Sequence, residues 1–354
     1  MQILRPQVSL CAGALLLAVA GQEALAAPKV VASIKPVHSL VAAVMEGVNE
    51  PTLLIKGAGS PHSYSLKPSE ARALSQADLV FWIGEDFEQF LIKPLKSLAG
   101  DSRQVALSEA DGISLLDVRE GGVWESHGDH GEHGDHEEHG EHDHDEHDHA
   151  EHEEHDEHDG HDHAEHEDHD EHDDAHAHAH GDHDMHIWLD PENARGMVRG
   201  IVSALSDADS ANAARYEANG DRLVAALDSL DGEIAASLAP VKSQPYIVFH
   251  DAYQYFEAHF DINGVGAISV DPERAPGAKR VATLRDKIAD LQAACVFSEP
   301  QFEPAVVATV IEGTSAKTGE LDPLGANQPA GPKAYFGLMR DLAENLIECL
   351  SPNS

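Results

Sequence analysis

Residues 125–184 hold 21 histidines and 27 aspartates and glutamates, with no lysine or arginine and no large apolar side chain. Such a stretch cannot bury enough apolar surface to offset the entropy of ordering it. It therefore stands outside any core, as a disordered surface loop, and splits the rest of the chain in two. Much of the net charge of −41 is concentrated there. The remainder carries 37 acidic against 23 basic residues, a net of −14. Both parts repel nucleic acid and anionic membranes, and both favour cations as small partners. Histidine is a metal ligand, so the tract is either the metal site or an accessory to one built elsewhere.

The chain begins with Arg5, the apolar run "LCAGALLLAVAG" and the small residues Ala24 to Ala26. This pattern is a secretory signal over residues 1–26, cleaved near Ala26. The run is too short to span a bilayer, and no later segment is long and apolar enough to do so. "VSLC" is a poor lipid-attachment box, because the apolar run follows the cysteine. Cys11 leaves with the signal. Cys295 and Cys349 remain as an even pair in an exported chain, which predicts one disulfide.

Either side of the tract, short apolar runs alternate with helical patterns. "KVVASIKP", "EPTLLIKGAG", "DLVFWIG" and "RQVALSEA" are strands, separated by amphipathic stretches such as "KPSEARALSQA". After the tract, Asp190 and Pro191 open a helix as N-cap and first residue. A longer helix follows, with Leu223, Leu227, Leu230 and Ile234 on one stripe. The alternation then repeats through "PYIVFH", "INGVGAISV", "ACVFSEP" and "GELDPLG". The fold class is α/β, two lobes with mainly parallel sheets joined by a long helix, with a cleft between them. The first lobe takes residues 27–124 and 185–205, the linking helix 206–240, and the second lobe 241–354.

Ligands of parallel sheets sit beyond the carboxyl ends of the strands. Five histidines lie outside the tract, and three of them, His62, His186 and His250, fall at strand or loop boundaries of that type. Asp322, in "GELDPLG", lies at another. Three imidazoles with a carboxylate or a water would make a tetrahedral zinc site, opening and closing by hinge motion between the lobes. Sequence spacing alone does not bring these residues together. His38 packs or caps near a helix start, and His259, late on a helix, is expected to be exposed. Glu299 ends a strand and is a candidate partner for a ligand. Asp251 is placed to cap the helix after His250.

Five segments in order, "GAGSPHSYSLKPSEARALSQADLVFWIG", "HIWLDP", "VFHDAYQYFE", "FSEPQF" and "GELDPLG", carry a resemblance over nearly the whole mature chain. The chain resembles the zinc-specific periplasmic substrate-binding proteins of bacterial ABC transporters, the high-affinity zinc-uptake type of the metal-binding cluster. Zinc members carry an acidic, His-rich insert at the same place. The resemblance implies His62, His186 and His250 as zinc ligands and a bridge between Cys295 and Cys349. It matches Asp322 to a carboxylate that is a ligand in manganese-type members. Some zinc members have a glutamate just before the first histidine, where Pro61 stands here. The fourth ligand is therefore Asp322, water or a histidine of the tract.

The implied function is capture of Zn(II) in the periplasm and delivery to an ABC permease, with no reaction catalysed. The implied partners are zinc, the permease and a periplasmic zinc chaperone, with the chain a monomer. The tract is then an accessory collector or sensor, since a flexible segment must be ordered each time it wraps an ion. Two competing readings are a surface zinc buffer or adhesin acting through the tract, and a zinc hydrolase. The hydrolase would need a general base beside the metal, and no HExxH or comparable cluster is present.

Overall fold

The computed structural model describes residues 27–119, 124, 181–269, 277–302 and 305–351. The signal segment and residues 125–180 of the tract lie outside the described residues. The first sheet is built from β1 (Val30–Ala32), β2 (Thr52–Leu53), β3 (Leu79–Trp82) and β4 (Arg103–Ala106). Its order is β2-β1-β3-β4, and every pairing is parallel. The crossovers are α1 (Lys35–Val44), α2 (Pro68–Ser75) and α3 (Gln89–Leu98). β1 and β3 are buried at every residue, and this is why they read as unbroken apolar runs.

One element is absent from the sequence reading. β5 (Leu116–Asp117) pairs antiparallel with β6 (His183–Asp184), bringing the two sides of the tract together. The tract's last residues are thus a strand rather than the end of a disordered loop. Two helices follow, α4 (Pro191–Ala208) and α5 (Ala213–Leu238). The Asp190 side chain caps α4, accepting from the Glu192 amide at 2.8 Å. All four residues of the expected α5 stripe are buried.

The second sheet contains β7 (Tyr246–His250), β8 (Gly264–Ser269), β9 (Cys295–Ser298) and β10 (Lys317–Glu320). Its order is β10-β9-β7-β8, again parallel throughout. Its helices are α6 (Gln254–Phe260), α7 (Ala278–Asp290), α8 (Ala305–Ile311) and α9 (Ala334–Leu350). Among the described residues no helix is long and apolar enough to cross a membrane. A disulfide joins Cys295 in β9 to Cys349 in α9, with Cα atoms 6.2 Å apart.

The two sheets share their largest core, and each has a smaller one on its other face. A single buried cluster runs from Val30 and Phe81 through Trp188 and Leu227 to Phe297 and Leu346. The long helix α5 packs on α1, α4, α6 and α9 rather than bridging open space. Buried polar contacts reinforce the junction. Tyr335 donates through its hydroxyl to Trp188 O at 2.8 Å, and its amide donates to Ser39 Oγ at 2.9 Å. The Lys35 ammonium donates to the carbonyls of Gly325, Ala326 and Gln328 at 2.6–2.8 Å. A large apolar interface of this kind opposes the free hinge expected of two lobes on a linker.

The carboxyl ends of β1 and β3 are tied by one buried carboxylate. Glu88 accepts from Ser33 Oγ at 2.5 Å, from the Ile83 amide at 2.9 Å and from the Gly84 amide at 3.0 Å. Burial pushes its pKa up to about 7, although these donors favour the charged form. A folded pKa above the unfolded one contributes stability that is fully present below about pH 4.5 and lost as pH rises through about 7. Melting temperature should therefore fall less between pH 5 and 8, the interval spanning this titration, in Glu88→Gln than in wild type. Equal pH profiles for the two proteins would refute this. Replacing both Cys295 and Cys349 by serine should cost roughly 4 kcal/mol in denaturant unfolding, the chain-entropy value for a loop of this length.

Candidate metal centre

Three separate stretches of chain deliver the site. His62 sits in the loop between β2 and α2. His186 follows β6 and precedes the turn into α4. His250 is the last residue of β7. His62 and His250 lie beyond the carboxyl ends of parallel strands, as ligands of such sheets do, whereas His186 follows the antiparallel β5–β6 pair. Ring centroids are 5.8 Å apart for His62 and His186, 5.7 Å for His62 and His250, and 5.3 Å for His186 and His250. One nitrogen of each lies within 4.8 Å of the others, and among the described residues this is the group of side chains that could share one ion.

Carboxylates set the orientation of two rings. His186 Nδ1 is 2.7 Å from Asp184 Oδ1, and His250 Nδ1 is 2.6 Å from Glu299 Oε1. A carboxylate only accepts, so each Nδ1 carries the proton and each neutral ring presents a lone pair at Nε2. Those two Nε2 atoms are 3.4 Å apart. Two lone pairs facing at this distance repel unless a proton or a cation lies between them. Asp184 and Glu299 are both buried and each keeps one oxygen with no hydrogen-bond partner among the described residues. They place a formal charge of about −2 behind neutral rings, matched to a divalent cation.

Phe87 forms an aromatic wall, with centroids 5.3 Å from His62 and 5.4 Å from His186. His186 and His250 are buried, and His62 is half-buried. Burial works against a charged His250, but Glu299 first, then Asp251 and Asp184, outweigh it and raise the pKa above the usual imidazole value. A cavity of about 120 Å³ opens onto the histidines and is walled by Asp86, Arg119, Trp124 and His183. Trp124 and Gly181 both line it, so the tract's two roots stand at the mouth. Arg119 pairs with Asp251 and with Glu257, the latter at 2.6 Å, and stacks 3.6 Å over Trp124.

The structure thus gathers His62, His186 and His250 and places Glu299 behind one of them. It does not bring Asp322 into the group. Asp322 Oδ1 accepts from Gln301 Nε2 at 2.8 Å and the Leu324 amide at 3.0 Å, and Oδ2 accepts from the Ala326 amide. Asp251 binds Arg119 instead of capping α6, whose N-cap is Tyr253. His259 is not exposed: its ring bridges Asp190 at 3.0 Å and Asp231 at 2.9 Å. His38 is buried in α1, 3.1 Å from Pro51 O. Asp184 is the functional residue the sequence reading missed. Its signal was its spacing, two positions before His186, hidden by the acidic run before it.

A family description, "Zinc-uptake complex component A periplasmic", matches residues 30–349. A high-affinity zinc uptake system protein of Brucella suis biovar 1 is 51% identical over 322 residues, covering 91% of each chain. One from Yersinia pestis is 36% identical over 333 residues, covering 92% of each. A crystal structure of a ZnuA superposes with a TM-score of 0.67 at 22% identity, over 92% of this chain and 100% of that one, and this shows the shared fold. The geometry of His250 makes its own prediction. In metal-free protein its imidazole should titrate above the ordinary histidine value, and Glu299→Gln should bring it down, read from nitrogen-15 shifts of the ring. No change on that substitution would separate Glu299 from the electrostatics of the ring.

Proposed function

This chain belongs to the family of periplasmic zinc-uptake complex component A and serves high-affinity zinc uptake, and we propose that it holds the ion between His62, His186 and His250. The observation that carries this reading is the pair of Nε2 atoms 3.4 Å apart, each forced inward by a carboxylate at Nδ1. Three neutral imidazoles suit zinc, which accepts nitrogen readily, better than manganese, which prefers harder oxygen. With Asp322 engaged by its own loop, the fourth tetrahedral position falls to a water.

The His-rich tract acts as a collector beside this site. Its roots at Trp124 and Gly181 support that role, since both line the cavity that opens onto the histidines. Weak sites on the tract would raise the local zinc concentration, and the acidic charge would draw cations in. The exported chain, freed of residues 1–26, passes zinc to an ABC permease at the inner membrane. A periplasmic zinc chaperone as donor and a monomeric state complete the proposal.

Chelator competition tests it on three proteins: the mature chain, the chain lacking residues 125–180, and His62→Ala. The deletion should retain one tight zinc, and His62→Ala should weaken it at least about 100-fold, as loss of a ligand does beyond the usual 10–100-fold effect of an outer partner. Loss of the tight site on deletion would move the function to the tract. Affinity should also fall as pH drops through the histidine range, beginning above the ordinary imidazole value because His250 is raised, since protons compete for the imidazoles.

A further inference from the structure

Gln301 follows β9 and has no part in the site as described so far. Its Nε2 donates to Asp322 Oδ1 at 2.8 Å. The remaining hydrogen bonds to that carboxylate, from the amides of Leu324 and Ala326, are also donations. A carboxylate offers no proton, so the Gln301 amide has one allowed orientation: its NH2 faces Asp322 and its carbonyl faces away. That carbonyl oxygen, Oε1, is buried and has no hydrogen-bond partner among the described residues. A buried acceptor left unpaired costs free energy, and each such atom in a native protein calls for a reason.

The surroundings supply one. Gln301 shares the wall of a cavity of about 10 Å³ with His62, His186 and His250. That is on the order of one water. The Nε2 atoms of His186 and His250 are acceptors, so they offer no proton to Oε1. A water bound to an ion held by the three histidines would offer two. Asp322 cannot turn to reach the ion itself without giving up three donors. Its loop is further pinned by Lys35, which binds the carbonyls of Gly325, Ala326 and Gln328.

We propose that Gln301 Oε1 accepts a hydrogen bond from the water in the fourth zinc position, and that Asp322 is the positioning residue that holds Gln301 to this task. The inference rests on His62, His186 and His250 being the zinc ligands. It gives Asp322 a role one residue behind the metal and leaves the coordination sphere with three nitrogens and a water.

A double-mutant cycle on the full mature chain tests it, with zinc affinity of the tight site read by chelator competition. Gln301→Leu should weaken zinc about 10-fold, the lower end of the effect of an outer partner. Asp322→Asn should weaken it similarly in wild type and have no further effect in the Gln301→Leu background, since it acts only through Gln301. Cobalt(II) in place of zinc gives a second readout. Its visible bands should move in Gln301→Leu, because the fourth ligand is disturbed. A mere packing role would weaken binding and leave the bands in place, which overturns the proposal. So would a Gln301→Leu affinity within twofold of wild type. An Asp322→Asn effect of equal size in both backgrounds would make Asp322 act by itself and break the relay. If Asp322→Asn fails to fold, the Gln301→Leu affinity and cobalt spectrum decide the question. His62→Ala is the separate control: unchanged zinc affinity there would sink the three-histidine reading, whatever Gln301 does.

Discussion

The bonds from Asp184 to His186 and from Glu299 to His250 set the character of the molecule. Each fixes a proton on Nδ1 and points a bare Nε2 at its neighbour, 3.4 Å away. The arrangement is unfavourable without a cation, and the scaffold has to hold it. It does so by placing the two partners on different sheets and welding the sheets together. Asp184 is in β6 of the small antiparallel pair, and His250 ends β7 of the second sheet. The cluster that joins Trp188, Leu227, Phe297 and Leu346 keeps them in register.

Charge works at two ranges. At short range, two buried carboxylates stand behind the rings, Asp184 at His186 and Glu299 at His250. At longer range, the excess of acid over base spreads a field that gathers cations and excludes anions. The tract concentrates this field, and its roots at Trp124 and Gly181 stand at the mouth of the cavity leading to the histidines. Arg119 adds a local exception. Its charge is matched by Asp251 and Glu257 and its plane lies on Trp124, so it fastens the tract's first root to the second sheet without repelling the cargo.

Asp322 is engaged by Gln301 and its own loop and stands outside the group of three histidines. A carboxylate at a strand end beside three histidines invites reading as a fourth ligand. Here three donors hold it, and two of them come from its own loop. The Lys35 ammonium fixes that loop from α1, across the junction of the sheets. The same contacts that stiffen the junction thus hold the Asp322 carboxylate outside the group of three histidines.

Much of this was legible from residues alone. Buried parallel strands read as apolar runs, α4 announces itself with Asp190 and Pro191, and the α5 stripe recurs at helical spacing; local rules suffice for each. The tract's separation from the core follows equally from its lack of apolar side chains. The three histidines could be named because they fall at strand or loop boundaries. Their convergence could not be read, because it depends on how two sheets separated by the tract and two helices are packed. The β5–β6 pair stayed invisible, since two residues on either side of a long insert carry no periodicity. Asp184 was lost among other acids, and His259 looked exposed because its partners, Asp190 and Asp231, are distant in the chain. Composition and spacing determined the class of fold and the candidate histidines. Tertiary packing decided which lone pairs meet, which carboxylates stand behind them and which is held away, because those are matters of orientation that only a closed core can impose.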